Sequence, residues 1–143
     1  MRHRLIAICT SVSLALAATV ALPASANTFT IGASGFSAWN FSIDGAPAVP
    51  NPELTLYTGQ TYTFTVSASG THPFWIKTVQ GNGSANGYAG GGLSANGVTS
   101  NTSITFTPPN DAPSTLFYNC GNHGAMTGII NIVVDPIFKS DFE

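Results

Sequence analysis

Between Thr28 and Val134 the dominant pattern is short runs in which apolar and polar residues alternate with a period of two, and no stretch repeats apolar residues at helical spacing between caps. The alternation predicts a series of short strands. Phe29 and Ile31 mark the first, and Trp39, Phe41 and Ile43 the second, which Asp44-Gly45 closes. Pro50-Asn51-Pro52 reads as an irregular connection. Leu54 and Leu56 mark a third strand. Tyr62, Phe64 and Val66 mark a fourth, with threonines on the opposite face. His72 to Thr78, Ser103 to Thr107, Thr115 to Cys120 and Thr127 to Val134 complete the set. Many short strands separated by turn signals predict an all-β sandwich or barrel of about eight strands.

Two stretches fall outside this pattern. Residues 80–101 are rich in Gly, Asn and Ser and predict a long surface loop, either a solvated connection or a docking loop. No strand-loop-helix context surrounds its glycines, so phosphate binding is excluded. Residues 1–26 have the form of a secretory signal peptide. Arg2 and Arg4 lead, an apolar run from Leu5 to Leu22 follows, and Ala24-Ser25-Ala26 offers small residues for cleavage. The expected organisation is a signal peptide over 1–26, one domain over 27–135 and a tail over 136–143. Such a leader places the protein in the periplasm or outside the cell, with no membrane segment after cleavage.

Without the leader, two lysines stand against six acids, a net charge of −4. With no basic patch, nucleic acid is excluded as a partner. One cysteine remains, Cys120, too few for an intrachain disulfide. A lone thiol in an oxidising compartment is a liability unless something occupies it, and a metal would.

The segment Cys120-Gly121-Asn122-His123-Gly124-Ala125-Met126 supplies the chemistry. A thiol, an imidazole and a thioether recur at every third position. The glycines and the asparagine between them let the chain turn tightly between two strands. His72, at the start of an earlier strand, offers a second imidazole. Beyond the leader the chain has one cysteine, two histidines and one methionine, and this set uses all of them. Two imidazoles and a thiolate in a plane, with a weak axial thioether, form the ligand set of a type 1 (blue) copper site. Period two puts Phe74 and Ile76 on the face of His72, and Trp75 and Lys77 on the other. Trp75 then lies under the long loop or stands exposed as a docking aromatic. Tyr118 shares the face of Cys120 and is expected in the core.

Tyr118-x-Cys120-x2-His123-x2-Met126-x-Gly128, with an upstream histidine, resembles the cupredoxins, the small copper proteins of the plastocyanin, amicyanin and pseudoazurin class. The resemblance spans about residues 28–135, and the ligand-loop spacing is most similar to that of amicyanin. The segment from His72 to Thr78 is similar to one in secreted bacterial plastocyanin-like proteins. The family implies a Greek-key sandwich and one type 1 copper held by His72, Cys120, His123 and Met126. It further implies one-electron transfer to weakly and transiently bound redox partner proteins, no catalysis, and a monomer. His123 would be the ligand at the solvent edge. Asn119 stands where plastocyanin has a tyrosine used as a remote electron port. Pro73 stands where most small cupredoxins have an asparagine whose N–H donates to the cysteine sulfur. Proline has no N–H, so this chain cannot make that bond, and a backbone N–H within the loop of Asn122 to Met126 is the expected substitute.

Two other functions fit the same residues. A copper carrier or storage protein would exchange its metal readily, and an extracellular interaction module would keep copper as a structural ion. An oxidase or a nitrite reductase would need further histidine ligands, and both available histidines are already used.

Overall fold

The computed structural model describes residues 27–68 and 70–135; the expected leader and tail lie outside them. The described residues form nine strands and no helix: β1 (Thr28–Ser34), β2 (Ala38–Ile43), β3 (Val49–Pro50), β4 (Leu54–Tyr57), β5 (Tyr62–Val66), β6 (Phe74–Lys77), β7 (Thr102–Phe106), β8 (Thr115–Cys120) and β9 (Thr127–Val133). Eight fall where the alternation places them. The ninth, β3, is the two-residue edge of the segment read as irregular. Both of its residues are exposed, and Pro50 lies where an edge tolerates the missing donor.

Two sheets pack face to face. One runs β3-β2-β1-β5-β7 and the other β4-β9-β8-β6. Each is mixed, since β1 pairs with β5 in parallel and β4 pairs with β9 in parallel. The alternating apolar residues fill the space between the sheets. Ile31, Trp39, Phe41, Leu56, Phe64, Phe74, Ile76, Ile104, Phe106 and Tyr118 are all completely buried. Each large apolar side chain contributes roughly 1.5–3 kcal/mol by leaving water. Aromatic rings run as a chain through this core. Phe29 stacks on Phe64 at 4.7 Å, Phe64 on Phe74 at 5.9 Å, and Phe74 meets Trp39 edge-on at 5.4 Å. Trp39 in turn meets the ring of His72 edge-on at 6.0 Å, so the core leads directly to the first candidate ligand.

β6 is an edge strand, and the Gly/Asn-rich segment 80–101 covers it. Asn96 acts there as a substitute strand. Its Oδ1 accepts the N–H of Ile76 at 2.8 Å, and its Nδ2 donates to the Ile76 carbonyl at 2.8 Å. Phe74 donates its N–H to the Val98 carbonyl and Tyr88 donates to the Ile76 carbonyl. An edge covered in this way cannot pair with another chain. The segment is solvated, as expected, but it also sends Tyr88 into the core. Trp75 lies beneath it, half-buried. A Cβ on Gly97 (φ +68) would come within 2.3 Å of the Trp75 ring, so only glycine lets the backbone cross there.

Candidate metal centre

The site lies where the end of β8 meets the start of β6. Phe74 pairs with Cys120 across the sheet, which brings His72, two residues before Phe74, beside the cysteine. Hydrogen bonds tie both flanks of His72 to the ligand loop. Gly121 donates its N–H to the Pro73 carbonyl at 2.8 Å, and Asn122 Nδ2 donates to the Thr71 carbonyl at 2.7 Å. The loop from Cys120 to Met126 closes on itself. Cys120 donates its N–H to the Met126 carbonyl at 2.8 Å, and Met126 donates its own to the His123 carbonyl at 3.2 Å. Gly121, Asn122 and Gly124 take no left-handed φ here. The two glycines matter instead for space, since an added Cβ would come within 3.1 Å of Trp75 Nε1 at Gly121 and of Asn82 Oδ1 at Gly124.

The candidate side chains converge. Cys120 Sγ lies 3.8 Å from His72 Nδ1 and 3.5 Å from His123 Nδ1. One donor atom from each of these three residues lies within 4.8 Å of the others. Around one metal in a trigonal plane, bonds of about 2.0 Å to nitrogen and about 2.3 Å to sulfur set N and S about 3.7 Å apart. The two observed separations bracket that value, so the donors fit a single ion of this size. Met126 is completely buried and belongs to the same cluster. The set fits one type 1 copper ion.

Burial differs among the candidate ligands. Cys120 and His72 are buried and His123 is partly exposed, with exposed Gly124 and Ala125 beside it. Burial, and secondarily the His123 imidazole, hold the His72 pKa below the usual histidine range. Both causes favour the neutral ring, the form that binds a metal. Asn122 donates its backbone N–H to Cys120 Sγ at 3.5 Å, so the sulfur has a donor from the ligand loop. Tyr118 is in the core, where burial pushes its hydroxyl pKa upward; the hydroxyl donates to the Pro52 carbonyl at 2.6 Å. Asn119 is buried and donates to Thr127 Oγ1.

Two further residues contribute that alternation does not single out. Phe36, in the turn between β1 and β2, is 70% exposed, yet its ring stacks on His123 at 4.6 Å and lies 6.0 Å from His72. Asn51 bridges the two sheets. Its Oδ1 accepts the Trp39 N–H at 2.9 Å, and its Nδ2 donates to the Ala125 carbonyl at 2.9 Å. The sequence signal for Asn51 is its place between two prolines. For Phe36 it is a bulky apolar residue in a turn.

No family model matches the chain, and no curated protein matches it. Solved structures do. Rusticyanin from Thiobacillus ferrooxidans aligns over 74% of this chain and 76% of its own at 21% identity, with a TM-score of 0.50. A methionine-to-leucine variant of rusticyanin aligns over the same shares at 21% identity, with a TM-score of 0.51. A purple cupredoxin from Nitrosopumilus maritimus covers 75% of this chain and 99% of its own at 15% identity, with a TM-score of 0.47. The likeness to rusticyanin shows a cupredoxin fold.

Proposed function

We propose that this chain, a cupredoxin by fold, is a type 1 copper protein that carries single electrons between redox partners in the periplasm or outside the cell. The observation that carries this reading is the convergence of Cys120 Sγ on His72 Nδ1 and His123 Nδ1, at 3.8 and 3.5 Å, beside buried Met126. His72, Cys120, His123 and Met126 would hold the ion, the two imidazoles, the thiolate and the thioether forming a donor set suited to type 1 copper. Bound there, copper supplies a one-electron Cu(I)/Cu(II) couple.

The protein's own contribution is rigidity and access. Cys120 gives up its thiol proton to bind, and the Asn122 N–H stabilises the resulting thiolate. Burial, and then His123, lower the His72 pKa, which favours the neutral ring. Hydrogen bonds from Gly121, Asn122 and Asn51 fix the ligand loop against both sheets. A loop fixed in this way rearranges little when the charge of the site changes. His123 is the ligand nearest solvent, and with Phe36 and Ala125 it forms the face that a partner would meet. Contact through so small a face suits brief complexes that bury little area. In this reading residues 1–26 are the leader, 27–135 form the copper domain, 136–143 are a tail, and the protein is a monomeric carrier of electrons and no enzyme.

The test is a visible absorption and EPR spectrum of the copper-loaded protein. An intense thiolate-to-copper band with a type 1 EPR signal is expected, and Cys120→Ser should abolish the band. A colourless, weakly bound copper in the wild type overturns the reading. Rapid copper transfer to a metal-free acceptor, without reversible redox cycling, would favour a carrier instead.

A further inference from the structure

Lys77 is the one lysine among the described residues, and it is only 1% exposed. An ammonium is costly to bury unless each of its three donors finds an acceptor. Here all three do. Nζ donates to the carbonyls of Gly81 at 2.5 Å, Gly83 at 3.1 Å and Asn82 at 3.3 Å. Three successive carbonyls can point at one atom because Gly81 and Gly83 take positive φ, at 148° and 70°.

The turn gathered by Lys77 rests on the ligand loop. Gly83 donates its N–H to the carbonyl of Gly121, the residue after Cys120, at 2.7 Å. Asn82 lies against Gly124, the residue after His123, where an added Cβ would come within 3.1 Å of Asn82 Oδ1. Trp75, on the same face of β6 as Lys77, packs its ring edge against Gly121 and fills the space between. The rest of the long loop has separate anchors in Asn96, Val98 and Tyr88. The buried charge is therefore not needed to close the loop, and it acts at the turn that touches the metal-binding segment.

We propose that Lys77 is a positioning residue for the metal centre: its ammonium fixes residues 81–83, and these hold Gly121 and Gly124 on either side of His123. The inference rests on the copper reading above. Lys77→Met keeps the length and apolar stem of the side chain and removes the three donors. Asn96→Ala is the control, since it loosens the same loop away from the ligand segment.

The first measurement is amide hydrogen exchange on the metal-free protein, which does not depend on copper. Lys77→Met should speed exchange at Gly83, Gly121 and Asn122 by about tenfold or more, while Asn96→Ala should speed Ile76 and Gly97 and leave the ligand loop as in the wild type. The second measurement is the spectrum of the copper-loaded variants. Lys77→Met should shift the visible band and the EPR copper hyperfine splitting, and Asn96→Ala should not. Ligand-loop exchange unchanged in Lys77→Met, or equally disturbed by Asn96→Ala, overturns the proposal. Should Lys77→Met fail to fold, Lys77→Gln, which keeps two donors, is measured in its place. Should neither fold, the wild type decides: Gly83 and Gly121 must open as one unit, and unlinked exchange rates overturn the proposal. A wild type that binds no copper ends the functional reading but leaves the exchange result standing.

Discussion

Asn122 donates its backbone N–H to Cys120 Sγ at 3.5 Å, across a single intervening residue. A donor on a thiolate withdraws electron density from it, so it weakens the thiolate's bond to Cu(II), favours Cu(I) and raises the potential. At Pro73, beside His72, the backbone has no N–H to add a second such bond. The sulfur is thus tuned from the ligand loop alone among these two segments.

Pro73→Asn should therefore raise the midpoint potential. A hydrogen bond to a charged group contributes about 1.5–3 kcal/mol, but only the difference between oxidation states moves the potential, so the rise should be some tens of millivolts. Voltammetry of wild type and variant with intact copper spectra measures it. No change would mean that the Asn122 N–H already sets the sulfur's electron density.

Phe36→Ala tests the stack on His123. The rings lie 4.6 Å apart with planes 24° from parallel, so Phe36 restrains the one candidate ligand of the His72, Cys120 and His123 set that is partly exposed. Such pairs contribute about 0.5–1.5 kcal/mol, which corresponds to about a two- to twelvefold loss of copper affinity. Competition with a chelator measures the loss, and fold stability should change little because Phe36 is mostly exposed. An unchanged affinity would make Phe36 part of the docking face only.

The contribution of His72 to the pH dependence of the metal-free protein has a definite sign. The His72 pKa lies below its unfolded value, near 6.5, because burial and then His123 disfavour the charged ring. Between the two values the unfolded chain binds more protons than the folded one, so stability rises with pH across that window. It should be fully present above the unfolded value and fall as the pH drops towards the lowered native one. Urea midpoints from neutral to mildly acidic pH measure the slope, and His72→Gln should reduce it.

Much of the site is legible in the sequence because its chemistry is scarce. Residues 27–143 hold one cysteine, two histidines and one methionine, and tight spacing joins three of them. The strands are legible because a two-sheet core demands alternation over many residues. β3 is not, since two exposed residues carry no period. Lys77 sits at an outward position, where a lysine normally meets water. It is buried because residues 81–83 fold back over it, and that contact leaves no local pattern. Phe36 and Asn51 act across the fold, from turns whose position only the assembled sheets determine.

Asn51 allows fold stability and site geometry to be separated with two substitutions. Its Oδ1 accepts the N–H of Trp39, a completely buried residue, and its Nδ2 donates to the Ala125 carbonyl in the ligand loop. Asn51→Ala removes both bonds and leaves the Trp39 N–H without its acceptor, which should cost about 1–3 kcal/mol. Asn51→Asp keeps an acceptor for Trp39 but cannot donate to Ala125. Aspartate also tolerates the left-handed backbone at this position, where φ is 42°. The aspartate variant should therefore retain most of the stability that alanine loses, while both variants release the ligand loop and speed copper loss to a chelator. Denaturant titration of the metal-free proteins reads the first effect and the copper off-rate the second. If alanine and aspartate lose stability equally, the bond to Ala125, and not the one to Trp39, is the one that holds the sheets together.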